Sequence, residues 1–557
     1  MSLKRWSRIG FFAVFIITVS ACGIKKSQKH LPSLETYNQH VPVVIKHADT
    51  ILSTDQNYLL KNKHQIWELY ASGDPLQLGL VTGSLTENLI HKQEDAFFSM
   101  INDFIPSSSK QSFLKFFLKV YNRKMHLHIT NEYLSEIYGV SRYSSDKYDF
   151  IASKYQRSLS LHGAHDIGHA LQDLMLVGCS SMAVWDEKSS DGSMLLGRNF
   201  DFYAGDKFAE EKIISFIKPD VGIPYMSMSW AGMIGVVSGM NLEGLTVTIN
   251  AGKSKIPLKA KTPISILTRE ILQYASTIEE AIEIAKKREV FVSESIMVGS
   301  AKDRNVVLIE VSPKKFGVYQ VENTNQLICS NHFQSEAYQK DKRNTKQKET
   351  SHSEYRYERM EELIQEKDKL NPEKMVDILR DTKGLDEKEI GYGNEKALNQ
   401  LLGHHSIVFK PEQKIVWVST KPYQLGEFVA YDLNEIFKQR DSSFVSHEID
   451  SLLIEKDPFV NSVAYQKYEQ YRIEDREIDR ALEDELILND SFIEKYKNSN
   501  PEFWLVYYKS GMYYYQQKDF NLAKIEFEKA LTKEITTVQS KELVEKYLKK
   551  SNRKRKK

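Results

Sequence analysis

The sequence predicts a layered α+β protein, and three observations carry that prediction. Up to Gly178 the apolar residues recur at helical spacing, as in Leu85 to Phe104 and Phe113 to Val120, and strand-like runs take over abruptly afterwards. Those strand signals fall into two sets with helices grouped between them. Beyond about residue 436 the strand signals stop and the chain reads as helical.

Taken in order, the first residues read as an export signal. Lys4, Arg5 and Arg8 precede an apolar run from Ile9 to Val19 that is too short to span a bilayer as a permanent helix. The tetrad Val19, Ser20, Ala21, Cys22 resembles the lipobox of bacterial lipoproteins. It implies lipidation of Cys22 after removal of residues 1–21, a polar tether over 22–59, and an extracytoplasmic, membrane-anchored location, periplasmic or at the cell surface. A helical precursor segment is expected over 60–178.

Next come the strands. Met182 to Trp185 and Met194 to Phe202 flank Asp191-Gly192, a hairpin signal. Further strands are predicted at Met226 to Met240, Leu245 to Asn250, Ser295 to Ser300, Asn305 to Val311, Gly317 to Val321, Gln326 to Cys329 and Ser406 to Ser419. Helices are predicted at Ile264 to Tyr274 and Ile278 to Arg288, the second opened by Thr277 with Glu280 three residues on, a capping-box pattern. The charged stretch Gln339 to Ser351 reads as a solvated loop. These elements make 179–435 one unit, and 436–557 a helical region. Within the latter, Gly511, Tyr514, Ala523, Phe527 and Ala530 fall at the spacings of a tetratricopeptide (TPR) helix pair.

With 557 residues, 41% of them hydrophobic, 27% charged, and a net charge of +1, the chain has a globular composition and offers no electrostatic reason to bind nucleic acid. Of its three cysteines, Cys329 lies in an apolar strand and reads as a small core residue, whereas Cys179 follows a glycine directly. Cutting the chain before Cys179 would free an α-amine on the same residue as the thiol. That amine titrates near ~8 and can take the thiol's proton at neutral pH.

The segment Gly178 to Asp201, with Arg198, Asn199, Phe200 and Asp201 closing the hairpin, resembles the Cys-type N-terminal nucleophile hydrolases. The likeness is to the autoproteolytic acyltransferases related to acyl-CoA:isopenicillin N acyltransferase and, more distantly, to choloylglycine hydrolase. Gly73 to Gly79 with Gly83, Gly239 to Leu245 with Asn250, Ser330-Asn331-His332, the trio Ser353, Arg356 and Arg359, and Val416 to Ser419 extend it over about 65–435. Ser180 departs from the threonine common at that place.

The resemblance implies a four-layered αββα fold and self-cleavage between Gly178 and Cys179, leaving two chains held noncovalently. It further implies a Cys179 nucleophile, with Arg198 lowering the thiol's pKa, Asp201 holding the α-amine, Asn250 and Asn331 as oxyanion donors, and Arg356 supporting the site or meeting the acyl acceptor. The expected activity is hydrolysis or transfer of acyl groups on small N-acyl amides through a Cys thioester, with no cofactor and no metal.

Two other readings compete. His165 and His169 stand one helical turn apart, a zinc-compatible spacing, but Gly168 weakens the helix and no distal set completes that pattern. They are expected to line the end of the precursor segment. The alternative to an enzyme is a noncatalytic surface lipoprotein that binds a protein partner through its TPR-like end.

Overall fold

The computed structural model describes residues 27, 29–104, 119–163, 166, 177–203, 205–253, 259–438 and 444–555. The expected export signal, Cys22, most of the run Phe113 to Val120, His165 and His169 lie outside the described residues.

Four strands come first: β1 (Ile45–Ala48), β2 (Ile51–Thr54), β3 (Asn57–Lys61) and β4 (Trp67–Gly73). After a helical stretch, β5 (Val177–Asp186) and β6 (Gly192–Phe202) form the hairpin signalled by Asp191-Gly192. The next strands are β7 (Ile213–Pro219), β8 (Tyr225–Ser229), β9 (Ser238–Asn241), β10 (Leu245–Ala251), β11 (Glu294–Ser300), β12 (Asn305–Val311) and β13 (Phe316–Tyr319). The last are β14 (Gln326–Cys329), β15 (His405–Lys410), β16 (Ile415–Ser419) and β17 (Phe428–Asp432). One sheet has eleven strands in the order β1-β2-β3-β4-β7-β8-β9-β10-β11-β12-β13, and the other six in the order β14-β5-β6-β15-β16-β17. The pairing of β4 with β7 is parallel and joins strands from either side of residue 178.

Three apolar clusters show how these elements pack. Met194 and Leu196 of β6, Phe216 of β7, Met226 of β8 and Ile407 of β15 meet in one buried cluster between the sheets. Helices Pro75–Phe104, Asn131–Ser141 and Ile264–Tyr274 bring Leu78, Ile137 and Leu267 against Leu59 and Val247 of the larger sheet. Helices Ser353–Glu366 and Pro372–Leu379 bring Met360 and Met375 against Val184 and Val408 of the smaller one.

Several expectations need correction. The segment 22–59, expected as a polar tether, carries β1, β2 and most of β3, and the expected helical stretch 60–178 begins with the end of β3 and β4. Tyr58, Leu59 and Leu60 are all buried, Leu59 in one cluster and its neighbours in another. A strand covered on both faces loses the period of two that would reveal it. Met226 to Met240 is two strands, parted by a turn in which Gly232 takes φ +84°. Ser406 to Ser419 is a hairpin. The stretch Gln339 to Ser351 contains a helix, Lys342–Thr350, rather than a loop, with Asp341 capping it and Asn344 bonding both backbone groups of Phe333. The capping box of Thr277 and Glu280 is formed.

The C-terminal helices Val463–Glu483, Asp490–Ser499, Trp504–Gln516, Phe520–Ala530 and Val538–Arg555 share a cluster with Leu401 and Leu425 of the preceding unit. Tyr468 Oη donates to the Leu401 carbonyl at 2.9 Å, and the Asn500 amide bonds Tyr392 N–H and C=O at 3.1 and 2.8 Å. A Cβ on Gly511 would lie 2.6 Å from the Phe527 ring, so the two helices cross where only a hydrogen fits. Intrinsic propensity alone would make Gly511→Ala stabilising by about 1 kcal/mol, whereas overpacking costs about 1–3 kcal/mol. Overpacking should win, and backbone hydrogen exchange across residues 504–530 should quicken; unchanged or slower exchange would show that the ring yields.

Candidate active site

The β5–β6 register builds the site. Cys179 pairs with Phe200, Ser181 with Arg198, and Gly178 with Asp201, and all six are buried. Alternation along the strands then sends Cys179, Ser181 and Arg198 to the face that meets the larger sheet, and Ser180 and Asp201 to the opposite face. Arg198 and Asp201 therefore point to opposite sides and form no ion pair.

On the inner side, Arg198 reaches the Cys179 sulfur with Nη2 at 3.5 Å. Its other bonds hold it there: Nη1 donates to the Val237 carbonyl at 3.0 Å and to Ser238 Oγ, Nη2 donates to the Ile249 carbonyl, and the guanidinium lies 4.2 Å from the Phe200 ring centre. His405 supports Ser238 from behind, with Nε2 2.9 Å from its Oγ. Ser181 Oγ donates to Asn250 Oδ1 at 2.7 Å, and Asn250 Nδ2 donates to the Cys329 carbonyl at 3.3 Å.

On the outer side, Arg356 projects from helix Ser353–Glu366. Its Nη1 donates at 2.7 Å both to the Cys179 carbonyl and to Ser180 Oγ, and its Nη2 donates to Asn331 Oδ1. That same Asn331 oxygen accepts the Cys179 N–H at 3.0 Å, while Nδ2 donates to the Ala251 carbonyl. Ser353 Oγ accepts the Asn331 N–H at 2.8 Å and fixes its place. Cys179 is thus held through sulfur, nitrogen and carbonyl oxygen by three different side chains.

Burial pushes the Cys179 thiol up, against the downward pull of Arg198. The Arg198 effect has the expected direction, but desolvation outweighs it. Burial also raises the Asp201 carboxyl to about 7 despite Arg356 and Arg198. Gln424 Nε2 donates to Asp201 Oδ1 at 3.2 Å, while Oδ2 has no protein partner. Gly178 has ordinary strand geometry rather than a strained backbone. A Cβ there would lie 2.5 Å from Gln400 Nε2, the end of a flexible side chain that can turn aside.

All six candidate residues, Cys179, Arg198, Asp201, Asn250, Asn331 and Arg356, converge on this site. Arg359 does not; it pairs with Asp381 at 3.0 Å and with Glu387 and braces helix Ser353–Glu366. Sequence reading missed Gln400, Gln424, Ser238 and His405, which lie far along the chain from Cys179 in no motif. Only the antiparallel register of β15 with β6, made between strands distant in the chain and setting His405 opposite Phe200, places His405 there. Cys329 is fully buried, as a core residue should be.

Residues 185–421 match the family model "Acyl-coenzyme A:6-aminopenicillanic acid acyl-transferase". The matched span contains Arg198, Asp201, Asn250, Asn331 and Arg356 and begins six residues after Cys179. An uncharacterized protein of Archaeoglobus fulgidus is 31% identical over 157 residues, 27% of this chain and 26% of its own length, so the chain spans about a quarter of that relative. Among solved structures, an N-acylethanolamine-hydrolyzing acid amidase ortholog of Caenorhabditis elegans aligns with TM-score 0.31 at 18% identity, over 42% of this chain and 93% of its own. A mutant form of conjugated bile acid hydrolase from Clostridium perfringens aligns with TM-score 0.32 at 16% identity, over 49% and 96%. The family match spans less than half of the chain and is a likeness to an acyl-transferase family over that region.

Proposed function

We propose that this chain cuts itself between Gly178 and Cys179 and then uses Cys179 to cleave or transfer acyl groups on small N-acyl amides. The observation that carries the proposal is the three-way hold on Cys179, with the Arg198 guanidinium at its sulfur and Asn331 at its nitrogen. In the first step the Cys179 sulfur attacks the Gly178 carbonyl carbon, the C–N bond breaks, and the nitrogen takes up a proton to become an α-amine. Water then hydrolyses the thioester.

In the mature enzyme the α-amine takes the thiol's proton, and the thiolate attacks an amide carbonyl. Asn250 and Asn331 each keep one Nδ2 hydrogen beyond the bond described above, and these are the proposed oxyanion donors. Asp201 Oδ2 is the oxygen available to the α-ammonium. An apolar cleft lined by Ile90, Phe97, Phe202, Phe208, Trp230 and Met233 supports an acyl substrate, since Phe202 and Trp230 stack on Phe200, the cross-strand partner of Cys179. The amine leaves and water accepts the acyl group; hydrolysis is favoured because water is abundant outside the cytoplasm and acyl-CoA is not expected there.

The proposal extends to an αββα arrangement, supported by the three apolar clusters, and to a TPR-like pair, supported by the Gly511–Phe527 contact. It also includes the lipid anchor at Cys22 and the extracytoplasmic location, supported by the export signal and the lipobox-like tetrad.

Two outcomes test the chemistry. Mixing the protein with a reactive acyl ester and quenching in acid should leave one acyl group on the peptide bearing Cys179, and Cys179→Ala should carry none and lose at least roughly 10³-fold in amide turnover; labelling elsewhere with activity retained contradicts the role. The second concerns Asp201. With its carboxyl at about 7 in the fold and 3.8 as its ordinary value, the folded chain keeps a proton that the unfolded chain releases. Its contribution is therefore full below about 4 and lost as pH rises through about 7, at up to ~1.4 kcal/mol per pH unit. In a Cys179→Ala background, urea unfolding from pH 4 to 8 should show a shallower decline for Asp201→Asn, and an identical decline would remove Asp201 from this account.

A further inference from the structure

The turn between β3 and β4 meets the segment after β17 in a cluster of charged groups that the chemistry above does not use. His64 sits at the tip of that turn. The turn is stiffened by Asn62, whose Oδ1 accepts the N–H groups of His64 and Ile66, both at 3.0 Å. His64 Nδ1 lies 2.7 Å from Glu427 Oε2. A carboxylate only accepts, so this contact puts the ring proton on Nδ1 and leaves Nε2 with its lone pair. The His64 side chain is only 9% exposed, and Nε2 has no hydrogen-bond partner.

A donor atom of His64 and one oxygen each of Glu448 and Asp450 lie within 4.8 Å of one another. Because Nδ1 is spent on Glu427, Nε2 is the nitrogen left to take a ligand bond. Glu448 Oε2 is likewise buried without a partner. Ligands roughly 2.0–2.2 Å from a shared ion stand within about 4.4 Å of one another, so a small closure would bring all three onto one metal. The cation present is Lys63, whose Nζ lies 2.6 Å from Asp450 and 3.8 Å from Glu448 and whose side chain is 55% exposed. Lys63 against Glu427, Glu448 and Asp450 leaves two uncompensated negative charges beside the imidazole. That balance suits a divalent ion, and a histidine whose other nitrogen donates to a carboxylate is the arrangement that orients metal-binding imidazoles.

We infer that His64, Glu448 and Asp450 form a structural site for a divalent transition-metal ion of the zinc class, with Glu427 orienting the imidazole. Imidazole with two carboxylates favours zinc-like ions over magnesium or calcium. The ion would tie the β3–β4 turn to the segment after β17. If the chain is cut at Gly178, it would tie one fragment to the other; that consequence rests on the proposed scission, while the binding does not.

Zinc binding to the chelator-treated full chain, measured by equilibrium dialysis with elemental analysis, tests the site. Wild type should bind one Zn²⁺ that both His64→Ala and Asp450→Asn lose, the latter at an exposed position where folding is not at stake. Glu427→Gln should weaken it 10–100-fold, and Lys63→Ala should retain or tighten it by removing the competing cation. Zinc uptake equal in wild type and His64→Ala, no uptake by wild type, or loss in Lys63→Ala would each overturn the assignment.

Discussion

The pairing of β5 with β6 is the constraint from which the rest of the site follows. It sets Cys179 opposite Phe200, Ser181 opposite Arg198 and Gly178 opposite Asp201, in the middle of a buried sheet. A slip of one residue would exchange the faces, sending the sulfur toward helix Ser353–Glu366 and Arg198 away from it. Sheet position also explains why two buried guanidinium groups are tolerated. Arg198 donates from its two Nη atoms to two carbonyls and a serine, and Arg356 from its two to the Cys179 carbonyl, Ser180 and Asn331, so each charge is met by fixed dipoles, with only Nε of Arg198 left unpaired.

The proposed scission must leave the body intact, and the architecture provides for it. The parallel β4–β7 pair places strands from both sides of residue 178 in one sheet. Arg269 of helix Ile264–Tyr274 meets Glu136 of helix Asn131–Ser141 in a buried, two-bonded pair at 3.3 and 3.1 Å, again across the proposed cut. Breaking one peptide bond in β5 removes neither interaction, nor the apolar cluster that contains Leu59, Leu78, Val247 and Leu267.

Much of this was legible in the sequence because Cys179, Arg198 and Asp201 sit on one hairpin, where Asp191-Gly192 announces the turn and the order of residues sets the register. Asn250, Asn331 and Arg356 were found through the likeness of short motifs, not through spacing. What stayed hidden has physical causes. Strand β3 shows no alternation because both its faces are buried, so the N-terminal strands read as tether and helix. Strand β7 escaped likewise: Ile213 and Ile217 bury on one side, Ile214 and Phe216 on the other. Gln424 and His405 act only through contacts made by folding, and the burial that raises the Cys179 thiol is a property of the packed body rather than of any motif.

The central claim is that Cys179 becomes a chain terminus. Intact-mass measurement with N-terminal sequencing of the purified, active full chain tests it most directly. The account predicts two associated fragments, one ending at Gly178 and one beginning at Cys179, whose masses sum to that of the uncut chain plus one water. A single uncut chain with full activity on an N-acyl amide would contradict it.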